Sequence, residues 1–154
     1  MPKDSLRIEI CGDLDELNAY LGLSKNLAKG KKIKKVIESI QEELFIVGAE
    51  VATEIKFINK LKQRIGKACV KRLETMISQI EKKNHLSDFC LPGKDLTSGS
   101  LDVARTIARR LERRMVSLKK QKGLKNDFIL IYFNRLSDLL FLLAVSLKKS
   151  PKRR

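Results

Sequence analysis

The chain has 154 residues, of which 43% are hydrophobic and 33% charged, with 33 Lys and Arg against 18 Asp and Glu, a formal charge of +15. This apolar content excludes a disordered chain, and the few turn residues, three Pro and eight Gly, argue against an all-β fold. A chain of this length can form one domain, residues 1–154, that buries a core without a disulfide or structural metal. The three scattered Cys disfavour a disulfide scaffold, and the single His disfavours a zinc site or a Ser-His-Asp triad.

Five helical segments can be marked by the spacing of their apolar residues. The first is predicted to follow Gly12, with Asp13 as its N-cap and leucines three and four residues apart on one side, and to end near Gly30. The second has one long apolar stripe with the same spacing. It is predicted to continue to about Ile65, with Gly66 as its stop.

The third and fourth helices are separated by the segment of the chain that is richest in turn residues. The third carries its apolar positions over 73–80 and is predicted to end in the polar group 82–85. A loop follows, and either Ser98 or Ser100 is predicted to cap the fourth helix, whose apolar stripe covers 101–118.

The fifth helix is predicted after a turn at Gly123, and it is apolar nearly all round. Such a helix is covered on most sides, either at the centre of a bundle or at a subunit interface. Its run is interrupted by Asn134, Arg135 and Asp138, which are costly to place in lipid, so we expect a core helix and no membrane partner. The N-terminus has no signal or transit pattern, which favours the cytoplasm. The predicted architecture is all-α, an up-and-down bundle of about five helices.

The lysine runs are interpreted as solvated helix ends, and residues 149–154 as a flexible basic tail. The sharper alternatives are a nucleic-acid footprint or a pocket for a polyphosphate. The absence of Trp and the presence of only two Tyr disfavour nucleic acid as a partner, because they offer little stacking surface.

The fourth helix carries a row of arginines. Arg105, Arg109 and Arg113 are spaced four residues apart, so their guanidinium groups are stacked along one side, with Glu112 close enough to orient them. Such a row is unfavourable unless an anion lies against it, and guanidinium forks match phosphate oxygens. The alternative is a surface helix neutralised by salt bridges.

Three further groups of residues are candidates for a site. Asn134 to Asp138 place four polar residues inside an apolar helix, which indicates a site or an interface, or else a polar stripe towards solvent. The carboxylates at 13, 15 and 16 suit a helix N-terminus, although Asp15 could pair with an arginine of the fourth helix. Phe89 could form the wall of a pocket or fill the core.

Five motifs occur in one order along the chain: Gly12-x-x-Asp15-Glu16-Leu17-Asn18, Ile40-Gln41-x-x-Leu44-Phe45-x-x-Gly48-Ala49-Glu50, Phe89-x-Leu91-Pro92-Gly93, Ala104-Arg105-Thr106-x-x-Arg109-Arg110-x-Glu112-Arg113, and Asn134-Arg135-Leu136-Ser137-Asp138-x-Leu140-Phe141. Together they resemble the PduO-type ATP:cob(I)alamin adenosyltransferases, with similarity from about Lys3 to about Lys148.

The resemblance implies a five-helix bundle that assembles as a homotrimer, with active sites between adjacent subunits. It implies transfer of the 5′-deoxyadenosyl group of ATP to the cobalt of a reduced corrinoid, cob(I)alamin or a relative, with release of triphosphate and with Mg²⁺ as a further requirement. A corrinoid reductase or a B12-dependent acceptor enzyme is the implied protein partner.

The resemblance also implies roles for individual residues. It assigns contact with ATP to Lys3, Arg109, Arg110, Glu112, Arg113 and Asn134. It makes Asp15 and Arg105 a pair that bridges subunits beside the site, and groups them with Arg109 and Arg113 as the catalytic set. It makes Phe89 the aromatic that displaces the lower axial ligand of the corrinoid, and Asp138 a support of the site. No resident metal ligand is implied.

Family members usually carry a Thr-Arg-x-Gly-Asp-x-Gly-x-Thr segment that wraps the triphosphate, and the printed sequence begins just downstream of it. Backbone N–H groups of such a loop bind phosphate, so either the chain is truncated or it is a naturally short member with weakened or altered activity. The alternatives are therefore a catalytically weakened or inactive member that acts as a nucleotide- or corrinoid-binding module and, behind it, a nucleic-acid-binding helical protein.

Overall fold

The computed structural model describes residues 5–83 and 91–147, and within them every regular element is a helix. The helices are α1 (Leu6–Leu27), α2 (Lys31–Ala52), a short 3₁₀ helix (Ile55–Lys60), α3 (Lys67–Lys83), α4 (Leu96–Lys120) and α5 (Asp127–Leu147). The predicted all-α bundle of five main helices is confirmed. The predicted tail at 149–154 lies outside the described residues.

The bundle is built around α5. This helix packs against α4 on one side and α3 on the other, while α1 packs between α4 and α2. Tyr132, Phe133 and Leu136 are fully buried at its centre. α5 is long and apolar enough to cross a membrane by length and composition, but 61% of its most apolar stretch is buried inside the protein. It is therefore a core helix, as predicted.

The start of α1 differs from the prediction. The helix begins at Leu6, and Ser5 is the N-cap, its hydroxyl accepting a hydrogen bond from the backbone N–H of Ile8 at 3.4 Å. Asp13 is therefore not a cap. It lies in the interior of α1 with its side chain towards α4, where it is buried. An N-cap needs N–H groups that lack a helical partner, and by Asp13 the helix has none to offer.

The second helix is also shorter than predicted, since α2 ends at Ala52 and not near Ile65. Arg7 donates hydrogen bonds to the carbonyl oxygens of Val51, Thr53 and Gly123, so the C-terminal end of α2 is held by a side chain of α1. These bonds satisfy carbonyls that a helix end leaves free.

A buried carboxylate fixes the chain that follows. Glu50 accepts hydrogen bonds from the backbone N–H of Ile65 at 3.0 Å and from the Nδ2 of Asn126 at 2.7 Å. Asn126 also donates to the carbonyl oxygen of Ile65 at 2.8 Å. The segment after the 3₁₀ helix is therefore joined to the turn before α5.

The N-terminus of α4 has a capping box. Asp95 is the N-cap and accepts from the backbone N–H of Ser98 at 2.8 Å, while the hydroxyl of Ser98 accepts from the N–H of Asp95 at 3.3 Å. The prediction that Ser98 or Ser100 is the cap was wrong, because the cap precedes them. Ser100 is buried against Ser24 of α1, with 2.7 Å between the hydroxyl oxygens.

Candidate active site

The arginines of α4 fall into two groups with different partners. Arg114 donates to Asp13 of α1 at 2.6 Å, and Arg110 contacts both Asp13, at 3.2 Å, and Glu16. Desolvation lowers the pKa of Arg110, but its two carboxylate partners outweigh this and leave the pKa above its usual value. These two arginines therefore fix α4 to α1, as expected for a helix neutralised by salt bridges.

The other group is the predicted row, and it lacks counter-charges. Arg109 and Arg113 are exposed and form no ion pair with any residue in 5–83 or 91–147. Arg105 is half-buried, and its Nε is fully buried without a hydrogen-bond partner in the same residues. Three guanidinium groups on one side of a helix repel one another, and a buried donor without an acceptor is costly. The row therefore carries positive charge that no carboxylate of the described residues neutralises.

Asn134 joins α5 to this row. Its Nδ2 donates to Oε2 of Glu112 at 3.0 Å, and Glu112 lies between Arg109 and Arg113 along α4. The Oδ1 of Asn134 accepts a hydrogen bond from Arg135. Four of the residues to which the family resemblance assigns contact with ATP thus lie on one surface: Arg109, Glu112, Arg113 and Asn134.

The rest of the polar group on α5 is divided between solvent and core. Asp138 is exposed, and its Oδ2 lies 3.4 Å from Nη1 of Arg135, which also contacts Glu74 of α3. Ser137 is buried, and its hydroxyl donates to the carbonyl of Asn134 in its own helix at 3.0 Å. Asp138 is one helical turn from Asn134, so it borders the same surface.

Asp15 has a different position from its neighbours. It is exposed on α1 and forms no ion pair within the described part of the chain, whereas Asp13 and Glu16 reach the arginines of α4. Within the described residues of the single chain, Asp15 therefore has no fourth-helix arginine as its partner. The pairing of Asp15 with Arg105 between subunits stays a prediction.

Two predicted site residues, Lys3 and Phe89, lie outside the described residues. Among those described, no group of three or more His, Cys, Asp or Glu could hold a metal ion. A cavity of about 1070 Å³ with a mostly apolar lining lies at one end of the bundle, between the ends of all five main helices. Its lining includes Leu27, Ile33, Val36, Met76, Leu139 and Leu143 but none of the predicted site residues.

A buried polar network in the core was not predicted from the sequence. The hydroxyl of Tyr132 donates to Oε1 of Glu43 at 2.7 Å, and Arg72 of α3 forms an ion pair with the same carboxylate. Burial, reinforced by the charge of Glu43, raises the pKa of Tyr132 well above its ordinary value. The position of Glu43 inside the apolar stripe of α2, next to Leu44, was the available signal.

The fold and the site together define a helical-bundle protein whose fourth helix presents an unneutralised arginine row beside an amide of the fifth helix. Comparison with known families is more specific. The family model described as cobalamin adenosyltransferase matches residues 1–147, and the chain belongs to that family.

Named relatives agree with this assignment. A corrinoid adenosyltransferase from Citrobacter freundii is 38% identical over 143 residues, which cover 92% of this chain and 81% of the relative. A corrinoid adenosyltransferase from Bacillus subtilis is 38% identical over a match that covers 92% of this chain and 74% of the relative. The corrinoid adenosyltransferase PduO of Salmonella typhimurium is 36% identical, and this chain spans 41% of its length.

Solved structures match the fold closely. A variant PduO-type ATP:corrinoid adenosyltransferase from Lactobacillus reuteri complexed with ATP has a TM-score of 0.84 and 32% identity, over 96% of this chain and 84% of its own. A second variant from the same organism, complexed with cobalamin and ATP, has a TM-score of 0.82 and 32% identity. The match covers 94% of this chain and 81% of that variant's chain.

Proposed function

We propose that this protein transfers the 5′-deoxyadenosyl group of ATP to the cobalt of a reduced corrinoid and releases triphosphate. The observation that carries the proposal is the arginine row of α4, in which Arg109 and Arg113 are exposed without counter-charges beside the Glu112–Asn134 hydrogen bond. A triphosphate supplies the negative charge that this row lacks, and guanidinium forks bind phosphate oxygens in pairs.

The reaction needs little acid–base chemistry from the protein. Cobalt in cob(I)alamin supplies an electron pair and attacks C5′ of ATP, so that a cobalt–carbon bond forms. The bond between C5′ and its oxygen breaks, and the electron pair leaves with triphosphate while the cobalt is formally oxidised from Co(I) to Co(III). The chain's contribution is to hold the reactants in line and to stabilise charge on the leaving group, which is a role for Arg109 and Arg113.

Arg110 has a smaller part in this scheme than the resemblance implies. Its Nε and Nη2 already donate to Asp13 and Glu16, so only Nη1 is available for a phosphate oxygen. Asn134 has a fixed orientation because both atoms of its amide are engaged, Nδ2 by Glu112 and Oδ1 by Arg135. We infer that these residues position the nucleotide together with Lys3.

Magnesium would enter with the nucleotide. Mg²⁺ in phosphate-transfer sites is held by one or two carboxylates and by the substrate's phosphates, so the described residues fit it without a cluster of acidic ligands. Glu112 is the carboxylate nearest the row along α4. Mg²⁺ would neutralise part of the triphosphate charge as the leaving group departs.

We further propose that the site is shared between subunits of a homotrimer. Arg105 has a buried Nε without an acceptor, and Asp15 is an exposed carboxylate without an ion pair in the described residues. A contact between Asp15 of one subunit and Arg105 of the next would satisfy both. Phe89 and Asp138 would lie on the corrinoid side.

The enzyme would act in the cytoplasm, where a corrinoid reductase would supply its substrate and a B12-dependent enzyme would accept its product. The test is to mix the chain with ATP, Mg²⁺ and chemically reduced cob(I)alamin and to follow adenosylcobalamin by its absorbance. We expect product at one equivalent per triphosphate released. If ATP bound but no product formed, the chain would be a nucleotide-binding module and not an enzyme. If it bound nucleic acid with an affinity that falls steeply with salt, it would be a nucleic-acid-binding protein.

A further inference from the structure

Phe45 is a large apolar side chain in an unusual position. It lies in the middle of α2 and is 74% exposed, more than any other aromatic residue described. Phe45 lines three adjacent surface pockets, or hollows, of about 930, 610 and 390 Å³, so its ring projects between them. An exposed aromatic ring flanked by hollows is typical of a surface that another molecule covers.

The outer side of α1 continues this surface. Its exposed positions include the small or apolar residues Ile8, Gly12, Ala19 and Leu23, and the other exposed positions are carboxylates and Asn26. A side chain added at Gly12 would meet nothing within 4 Å, so a neighbouring backbone has room to approach there. Asp15 lines two of the three hollows together with Phe45. We call this surface, defined by Ile8, Gly12, Asp15, Ala19, Leu23 and Phe45, the α1–α2 face.

The charges of this face complement the arginine row. Asp15 and Glu42 are exposed carboxylates that border Phe45, and neither forms an ion pair in the described residues. On α4 the row formed by Arg105, Arg109 and Arg113 forms no ion pair within the described residues, and Val116, 38% exposed, extends it by one turn. Arginine also stacks on aromatic rings, so Phe45 and the row are chemically matched.

A chain cannot bring its own two surfaces together, because α1 packs between α2 and α4. A second copy can supply the missing surface. Contact between two different surfaces of identical chains is head-to-tail, and such contacts form a ring when the rotation closes. Each contact then leaves one acidic face and one arginine row free for further copies.

We propose that Phe45 is the apolar anchor through which the α1–α2 face of one copy binds the arginine row of the next. The inference rests on the shared site proposed above, and it adds the residue that holds the two subunits together at that site. Phe45 acts by positioning the arginine row and contacts no substrate.

The first test is the mass of the full chain in solution, by sedimentation over a range of concentrations. Phe45→Asp is expected to raise the dissociation constant of the oligomer by at least about thirty-fold, as for the loss of a central aromatic contact. Phe57→Asp is the matched control, because the Phe57 ring, 42% exposed, already has Lys56 and Lys60 of its own chain over it. Wild-type mass for Phe45→Asp would overturn the inference.

The second test uses two defective variants together. Arg109→Ala keeps the α1–α2 face but lacks a complete row, and Phe45→Asp keeps the row but lacks the anchor. Each alone is expected to be nearly inactive, whereas their mixture rebuilds one complete contact from the face of the first and the row of the second. Activity should therefore rise on mixing, and a mixture no more active than its components would count against a head-to-tail anchor.

These tests separate the anchor from the proposed reaction. An inactive wild-type chain that still loses its oligomer on Phe45→Asp would overturn the reaction and support the anchor. An active wild-type chain whose oligomer is unaffected by Phe45→Asp would support the reaction and overturn the anchor. Phe45→Ser, which adds no charge, should dissociate the oligomer in the same way if the ring itself is the anchor, and circular dichroism should show wild-type helix content in both variants because the side chain is exposed in the single chain.

Discussion

Asn134 and Glu112 connect the fifth helix to the fourth, with 3.0 Å between Nδ2 of the amide and Oε2 of the carboxylate. This hydrogen bond occupies one carboxylate oxygen of Glu112, which lies beside two exposed arginines. Without it, Glu112 could turn towards Arg109 or Arg113 and neutralise the row that the triphosphate is proposed to occupy. Asn134 therefore supports the site in two ways, by its own contacts and by holding a competing carboxylate.

Asn134→Asp tests this relationship. The change removes the N–H donor and brings a second carboxylate against Glu112, where two like charges repel each other and the triphosphate. We expect kcat/KM for ATP to fall about a hundred-fold, about 2.7 kcal/mol of transition-state stabilisation. Steady-state kinetics at varied ATP measures it, and an unchanged kcat/KM would remove Asn134 from the site. Helix content by circular dichroism should match wild type.

The two groups of arginines predict opposite phenotypes. Arg109→Ala removes an exposed side chain without an ion pair in the described residues, so it should lower turnover about a hundred- to a thousand-fold with little change in melting temperature. Arg114→Ala breaks a 2.6 Å contact with buried Asp13 and should cost about 1–3 kcal/mol of the free energy of unfolding with turnover retained.

Thermal unfolding and turnover, measured on both variants, give the comparison. Arg114→Ala is the control for Arg109→Ala, since both delete a guanidinium group from the same helix. If both lost activity equally at equal stability, the division of the arginines into a binding group and a structural group would be wrong.

The number and core faces of the helices were predictable because apolar spacing is a local property of the sequence. The start of α1 was not. Leu6, Ile8 and Ile10 alternate with polar residues, which resembles the period of a strand, and Gly12-Asp13 resembles a helix start. Burial of Ile10 against the bundle decides for the helix, and that contact comes from residues distant in sequence.

The same error explains what was missed in the site. A helix that begins at Leu6 places Asp13 on the inner stripe with Ile10 and Leu17, where it meets the arginines of α4. The arginine row itself was predictable from four-residue spacing. Which arginines are neutralised was not, because it depends on the side of α1 that faces α4.

The turn between α4 and α5 predicts a steric effect at Gly123. A Cβ atom there would lie 2.6 Å from Cδ1 of Leu118, which is buried, and 3.2 Å from Nη2 of Arg7. Arg7 donates to the carbonyl of Gly123 at 2.9 Å, so displacement of the turn also weakens the end of α2. We expect Gly123→Ala to cost about 1–3 kcal/mol of the free energy of unfolding.

A double-mutant cycle checks the cause. Leu118→Ala removes the leucine atoms that the new methyl group would meet, including the one at 2.6 Å, and leaves only the 3.2 Å approach to Arg7, so Gly123→Ala should cost much less in that background. Urea denaturation of the four proteins gives the coupling. Costs that add without coupling would place the strain elsewhere in the turn.

The burial of Tyr132 predicts that the free energy of unfolding falls at high pH. Burial beside Glu43 raises its pKa in the folded state, whereas in the unfolded chain the hydroxyl loses its proton near the ordinary value of 10.0. Below that pH both states keep the proton and the contribution to stability is constant. Above it the unfolded state binds fewer protons than the folded state, so stability falls as pH rises, by up to about 1.4 kcal/mol per pH unit.

Tyr132→Phe removes both the titration and the 2.7 Å hydrogen bond to Glu43, which keeps its ion pair with Arg72. At neutral pH we expect the variant to be less stable by about 1–2 kcal/mol. From about pH 10 upwards this deficit should shrink, because only the wild-type protein then loses stability through Tyr132. Urea denaturation of both proteins at pH 7, 9, 10 and 11 measures the difference, in which the titration of the lysines is common to both chains. A deficit that stays constant to pH 11 would show that Tyr132 ionises as readily in the core as in the unfolded chain, contrary to its burial beside a carboxylate.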